Sequence, residues 1–301
     1  MLGIGLAACG YRDAPPTAAP PELELGYPSR EHFVDVGALR ALLDAPELRL
    51  LDLSSLPDYR AGHLPRAQHI WWQDTIDRNK HPYGMLGDNS VRADISRAAG
   101  ITPDSHVICY DDAGGVYAAR MIWMLRYMGF HGAQLLSGGR QAWLAAGHEL
   151  TLETPDVPRG DISDIYDESI NALGPELLAR LGEPSLVILD TRTEDERGET
   201  WNDHLRIGMI PGSRWLPRDQ FLQPGDIPAL VPADELRRRL SAAGVALEQT
   251  AEVVVYGLHS TLAALPYLAL LALNDAGVRL YDGAWAEWGA GDAYPVEAFV
   301  T

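Results

Sequence analysis

The sequence predicts an α/β protein of two similar domains in series, each a mostly parallel sheet with helices on both faces. Three observations carry this. The chain has 301 residues, about two domains' worth of length. Short apolar runs of strand length alternate with stretches of helical period, a pattern that buries a parallel sheet on both faces. The runs of the first half recur in the second half in the same order, the mark of a duplicated unit.

The elements follow in order. Residues 1–24 read as a leader and Pro-rich stalk, and the first domain spans 25–150. Val36 to Ala45 has apolar residues at helical spacing in Ala38, Leu39, Leu42 and Leu43. Leu50-Leu51-Asp52-Leu53 is a buried-strand pattern, followed by Gly62-His63-Leu64-Pro65. His106 to Tyr110 is a strand, and Val116 to Met128 a helix with Met121, Met124, Leu125 and Met128 on one face. Leu135-Leu136-Ser137-Gly138-Gly139 and Trp143 close the unit. Residues 151–167, polar and carrying Pro155, Pro158 and Gly160, read as a linker to the second domain, 168–301. There Val187 to Asp190, Gly208-Met209-Ile210-Pro211, Glu252 to Tyr256, and Arg279 to Gly283 with Trp285 and Trp288 repeat the series. The offset grows from 138 residues between Asp52 and Asp190 to 146 between Tyr110 and Tyr256, which places an insertion within Thr193 to Leu205. Trp201 in that insertion is a candidate contact residue; Trp71, Trp72, Trp123, Trp143, Trp285 and Trp288 are expected in the core. Leu262 to Leu273, interrupted by Pro266, is too short to span a bilayer, which takes ~20 apolar residues, and reads as a buried helix.

Composition narrows the function. With 47% hydrophobic and 22% charged residues the chain is an ordinary globular one. A net charge of -18 repels a phosphate backbone, so nucleic acid is not expected as a partner. Small anions need a local loop or Arg to overcome the same field. The two cysteines, Cys9 and Cys109, make no CxxC motif, and the nine His residues make no HExxH or HxH spacing, so neither a metal nor a cofactor is expected. Leu6-Ala7-Ala8-Cys9 is similar to a bacterial lipobox, in which the Cys is the lipid attachment point, and the stalk Asp13 to Pro21 would stay extended. That similarity implies an extracytoplasmic protein in the bacterial periplasm that meets the membrane only through a lipid anchor at Cys9.

In open parallel sheets ligands sit at the carboxyl ends of strands, which directs attention to the loops after Tyr110 and Tyr256. Here the motifs become recognisable. Asp52…Tyr59-Arg60-Ala61-Gly62-His63-Leu64-Pro65, Tyr110 to Gly129, Asp190-Thr191-Arg192…Arg197-Gly198-Glu199 and Tyr281-Asp282-Gly283-Ala284-Trp285-Ala286-Glu287-Trp288-Gly289 together resemble the tandem-domain rhodanese family of thiosulfate and 3-mercaptopyruvate sulfurtransferases, over residues 25 to 300. The resemblance implies two rhodanese-like domains with the catalytic loop in the second. In that family the loop begins with a Cys whose persulfide carries sulfur, held by converging backbone N–H groups and a helix N-terminus. The matching loop here is Gly257-Leu258-His259-Ser260-Thr261-Leu262. Gly257 stands at the Cys position, Ser260 at the usual Gly and Leu262 at the usual Thr or Arg. Covalent catalysis cannot survive loss of the nucleophilic atom.

Other residues bear on the same chemistry. Arg192 and Arg197 are the candidate anion contacts, with pairing to Asp190 or Asp195 as the alternative for Arg192. The first-domain loop carries Asp111 and Asp112, which repel thiosulfate or sulfite, and Gly114-Gly115, which suit a tight turn. Cys109 precedes Tyr110 on a strand whose neighbours face opposite sides, so it is expected as a small core residue. His259 and Ser260, with Asp190 as a third member, admit a Ser/His/Asp hydrolase, although adjacent loop residues rarely point at each other. The leading expectation is a homologue inactive in Cys-persulfide transfer that binds a small anion or a protein partner. The alternative is transfer of sulfane sulfur from thiosulfate or 3-mercaptopyruvate to a thiol or cyanide acceptor.

Overall fold

The computed structural model describes residues 25–29, 31–78, 82–162, 165–198, 205–273 and 276–299. Cys9, the stalk and Trp201 lie outside the described residues. The first domain runs β1 (Phe33–Val34), α1 (Val36–Leu42), β2 (Leu48–Asp52), α2 (Leu56–Ala61), β3 (Ala67–His69), α3 (Asn89–Ala98), β4 (His106–Tyr110), α4 (Val116–Tyr127), β5 (Ala133–Leu136) and α5 (Gly139–Ala145). The second runs β6 (Asn171–Ala172), α6 (Gly174–Ala179), β7 (Leu186–Asp190), α7 (Glu194–Gly198), β8 (Arg214–Trp215), α8 (Ala233–Ala242), β9 (Glu252–Tyr256), α9 (Ser260–Leu273), β10 (Gly277–Tyr281) and α10 (Ala284–Trp288).

Each domain holds a five-stranded sheet, in the orders β1-β5-β4-β2-β3 and β6-β10-β9-β7-β8, and every pairing is parallel. The central strands are apolar throughout because helices cover both faces. On β4, Val107 and Cys109 enter one core cluster, Ile108 and Tyr110 the other, as strand alternation requires. Helices α4 and α9 pack on each other between the domains, and one core cluster runs continuously through both. That position explains why α9 is apolar on all sides, with Pro266 itself buried in its interior. The polar stretch from Thr151, which pairs with His63, leads to a 3-10 turn at Glu168–Ile170 before β6. It is seated on the first domain: a Cβ on Gly160 would stand 2.0 Å from the carbonyl oxygen of Ile101.

Two details depart from the sequence reading. Helix α1 ends at Leu42, three residues short of Ala45, with Leu43 as its cap. Trp123, Trp143, Trp285 and Trp288 are buried, but Trp71 and Trp72 are only half-buried, Trp71 beside a hollow of the first domain and Trp72 facing His259 of the second.

Candidate functional site

The loops after β4 and β9 occupy equivalent places and are built differently. In the first, Gly114 and Gly115 hold consecutive left-handed backbone angles, φ 77° and 89°. Residues with a Cβ avoid that conformation, and it curls successive N–H groups toward one point. The Asp111 carboxylate fills that point. Its Oδ1 accepts from the N–H of Ala113 at 2.9 Å and Gly115 at 2.7 Å, and its Oδ2 from Tyr117 at 2.8 Å and Ala118 at 2.9 Å. Burial pushes the carboxyl up from its usual range while the four N–H groups pull it down. Asp112 beside it is also pushed up by burial and partly offset by Arg140. Asp111 thus does more than repel an incoming anion, which is all the sequence implied: it occupies the anion's place. The second domain roofs the loop, since a Cβ on Gly114 would meet Leu222 at 2.7 Å and one on Gly138 would meet Ile227 at 2.7 Å. Cys109 lies on the strand below, buried, with its thiol pushed far up by desolvation and then by Asp111.

In the second loop Ser260 and Thr261 take the places of the two glycines. Neither adopts a left-handed angle, and helix α9 begins at Ser260, two residues earlier than α4 does relative to its strand. Gly257, at the nucleophile position, is buried, and a Cβ there would stand 3.1 Å from the His259 carbonyl oxygen. The Ser260 hydroxyl donates to Asp282 Oδ1 at 2.7 Å, with the Gly84 carbonyl at 3.0 Å. Arg120, from the other domain, donates to Asp282 Oδ1 at 3.0 Å and to the same Gly84 carbonyl at 3.0 Å. The Leu86 N–H donates to Asp282 Oδ2 at 2.9 Å. Ser260, Arg120 and Asp282 are all buried, so this network clamps the loop to the first domain. The Thr261 hydroxyl is buried without a partner.

A hydrolase triad is not formed. Ser260 is turned to Asp282, and Asp190 belongs to Arg192, so His259 has neither as a partner. Its ring instead lies parallel to Trp72, 6.4 Å between centroids, with Tyr83 edge-on at 5.7 Å. Its buried Nδ1 has no hydrogen-bond partner. Burial, and then the charges of Arg120 and Arg218, push the imidazole down to about 4.

The two candidate anion contacts are engaged elsewhere. Arg192 donates twice to Asp190, at 2.9 and 2.7 Å, and to the Gly208 carbonyl at 2.8 Å, with its guanidinium 4.2 Å from the Trp285 ring centre. The pairing alternative for Arg192 is the arrangement seen. Arg197 lies 3.5 Å from Asp190 and rests between Trp215 and Phe299, at 4.4 and 3.9 Å from their ring centres. Neither lines the cleft.

That cleft opens between the domains at the second loop, with a volume of about 1120 Å³. Leu258, His259 and Leu262 of the loop line it, with Pro82 and Tyr83 from the first domain. The remaining wall comes from the start of α7, the turn after β8 and the end of α10. It is acidic: among the described residues Glu194, Asp195, Glu196, Asp219 and Glu287 face a single guanidinium, Arg218, which is salt-bridged to Glu196. Asp282, Arg120 and the Gly84 segment escaped the sequence reading as site residues. Asp282 and Arg120 stood inside quoted motifs, but nothing local ties residues so far apart.

The comparisons with known proteins agree with this geometry. The rhodanese-like domain family matches residues 35–146 and again 174–290, and the chain belongs to that family. It is 31% identical to the thiosulfate sulfurtransferase of Azotobacter vinelandii, over 88% of this chain and 96% of that one. It is 30% identical to the sulfur carrier protein TtuD of Thermus thermophilus, over the same shares. The crystal structure of the 3-mercaptopyruvate sulfurtransferase SseA from Escherichia coli superposes with a TM-score of 0.74 at 27% identity, covering 84% of this chain and 98% of that one.

Proposed function

We propose that this chain is a sulfurtransferase homologue that forms no persulfide of its own and acts as a binding protein, taking a ligand or a partner segment into the cleft between its domains. One observation carries the reading: the position that would bear the nucleophile is Gly257, in a loop wound into helix α9 and clamped by Asp282 and Arg120. No cysteine lines the cleft among the described residues, and Cys109 sits in the core of the other domain with its thiol held protonated. The cleft is of ligand size, with apolar surface from Leu205, Leu258 and Leu262 beside a wall of acidic side chains. Cyanide-dependent turnover of thiosulfate and of 3-mercaptopyruvate is the test, with Cys109→Ser beside the native protein. Turnover at the uncatalysed rate in both is expected. Turnover abolished by Cys109→Ser would make Cys109 a sulfur carrier and overturn the reading; turnover that survives it would overturn it by another mechanism.

Sulfur transfer from thiosulfate or 3-mercaptopyruvate remains the second reading, favoured by the names of the relatives, and it needs a persulfide brought by another molecule. We also propose that Cys9 is lipidated and the protein works outside the cytoplasm, a reading supported by Leu6-Ala7-Ala8-Cys9 and the Pro-rich stalk. Metabolic labelling with a fatty acid is expected to mark the native protein and not Cys9→Ser.

A further inference from the structure

We infer that the cleft takes an organic cation: an apolar or aromatic body on its floor and an ammonium or guanidinium group at its acidic wall. The inference rests on the binding reading above and names the class of ligand.

The floor is apolar, formed by Leu258 and Leu262 of the loop with Leu205 opposite. Tyr83 and the His259 ring add aromatic surface. The Nδ1 of His259 is buried on the side of Gly84, with no hydrogen-bond partner among the described residues, so the ring meets the cleft as an aromatic surface. The wall is the second feature. Of its five carboxylates, Glu196 is matched by Arg218, and Glu287 accepts from the hydroxyls of Tyr281 and Tyr294. Glu194, Asp195 and Asp219 are exposed and form no salt bridge among the described residues, Glu194 feeling only the more distant charge of Arg197. The two arginines that would reverse this field, Arg192 and Arg197, are held on Asp190 behind it. A cleft of one sign with low-dielectric walls concentrates ligands of the opposite sign. Thiosulfate, 3-mercaptopyruvate and a carrier's persulfide are all anions, so the charge that would serve sulfur transfer is inverted here.

The test separates charge from shape by using three probes with one apolar body: phenethylamine, 2-phenylethanol and phenylacetate. Binding to the full chain is followed by isothermal titration, and the site by shifts of the His259 ring protons. Phenethylamine is expected to bind on the order of tenfold more tightly than phenylacetate, with 2-phenylethanol between. The preference is expected to shrink with added salt and to vanish in the triple variant Glu194→Gln, Asp195→Asn, Asp219→Asn. These residues are exposed, so the variant keeps the fold, and 2-phenylethanol binding verifies it. Equal or tighter binding of phenylacetate, a preference that survives the triple variant, or no binding of any probe at millimolar concentration would overturn the inference. The turnover assay distinguishes the two claims. Turnover defeats the binding reading itself, whereas a preference for phenylacetate without turnover defeats only the assignment of charge.

Discussion

The two strand-to-helix loops stand at the same point of the same fold, and they are built in opposite ways. After β4 the backbone curl persists: two left-handed glycines, four converging N–H groups, and the chain's own Asp111 seated among them. After β9 the curl is gone: Ser260 and Thr261 continue the helix, and the loop is tied across the interface through Asp282. The first loop keeps an anion cradle but has its anion built in. The second borders an open cleft and has neither the left-handed pair nor a thiol. A persulfide site needs cradle, thiol and access in one place, and here they are distributed between the two domains: the cradle and Cys109 in the first, the access in the second.

The largest expected effect comes from the clamp that holds the second loop. Arg120 and Asp282 are both buried and paired at 3.0 Å. Removing one partner leaves the other charge buried and uncompensated, which costs about 3–5 kcal/mol. Arg120→Met is therefore expected to lower stability by that amount in urea unfolding, and to leave the native loop after β4 unaltered by hydrogen exchange at Tyr117 and Ala118. An effect under about 1 kcal/mol, the size of a surface pair, would mean the clamp is solvated and the contrast between the loops weaker than drawn.

The next effect is the second loop's own share of the pH dependence. His259 titrates near 4 in the folded protein against 6.5 when unfolded, because it is buried and faces Arg120 and Arg218. Below 6.5 the unfolded chain binds a proton that the folded one refuses. Stability therefore falls as pH drops from 6.5 to 4 and levels off below that. The ceiling on this contribution is about 3 kcal/mol, less whatever solvent screening removes. His32, also pushed down to about 4, adds a similar slope from the first domain, so the measurement is the difference between the native protein and His259→Leu. The variant is expected to have the flatter profile; parallel profiles would place His259 in solvent. In the first loop, Asp111→Asn keeps one acceptor oxygen and turns an amide N–H₂ toward two of the four donors. A loss of about 2 kcal/mol is expected. Ligand binding in the cleft should be unaltered, because Leu222 and Ile227 seal Asp111 from it.

How much of this was legible in the sequence follows from the range of each interaction. Strands β4 and β9 were read at their observed ends, His106–Tyr110 and Glu252–Tyr256, because apolar runs and turn residues are local signals. Gly114-Gly115 announced a tight turn, and Cys109 a core position, from chemistry and alternation alone. The identity of the group in that turn was not legible, since four N–H groups converge on Asp111 only after the backbone has curled. The half-burial of Trp71 and Trp72 was missed because both lie on the connection after β3, where no strand or helix period fixes which way a side chain faces. Arg120 and Asp282 were missed as partners because they are 162 residues apart. Pairing of Arg192 with Asp190 was legible as an alternative, but the approach of Arg197 to the same carboxylate, and the absence of both from the cleft lining, were not.

The sharpest use of the comparison is to restore the thiol alone. Gly257 has an ordinary backbone angle, and a Cβ there meets the His259 carbonyl at 3.1 Å and Ala263 at 3.4 Å, so Gly257→Cys requires only a shift of a few tenths of an ångström. The stability change is expected within about 1 kcal/mol, balanced between this crowding and the lower entropy of the unfolded chain. A thiol is then present at a buried position next to the cleft-lining Leu258, where alkylation in denaturant verifies it, yet turnover of thiosulfate and 3-mercaptopyruvate is expected to stay at the uncatalysed rate. The reason is the contrast with the first loop. Without left-handed residues at 260 and 261 the N–H groups are not gathered around the sulfur, and the acidic wall raises the thiol's pKa and repels both donors. Adding Ser260→Gly and Thr261→Gly supplies the curl and releases the clamp on Asp282, so this variant tests whether the cradle was the missing part. If Gly257→Cys alone transfers sulfur at an enzymatic rate, the thiol was the sole loss, and the difference between the two loops has no bearing on chemistry.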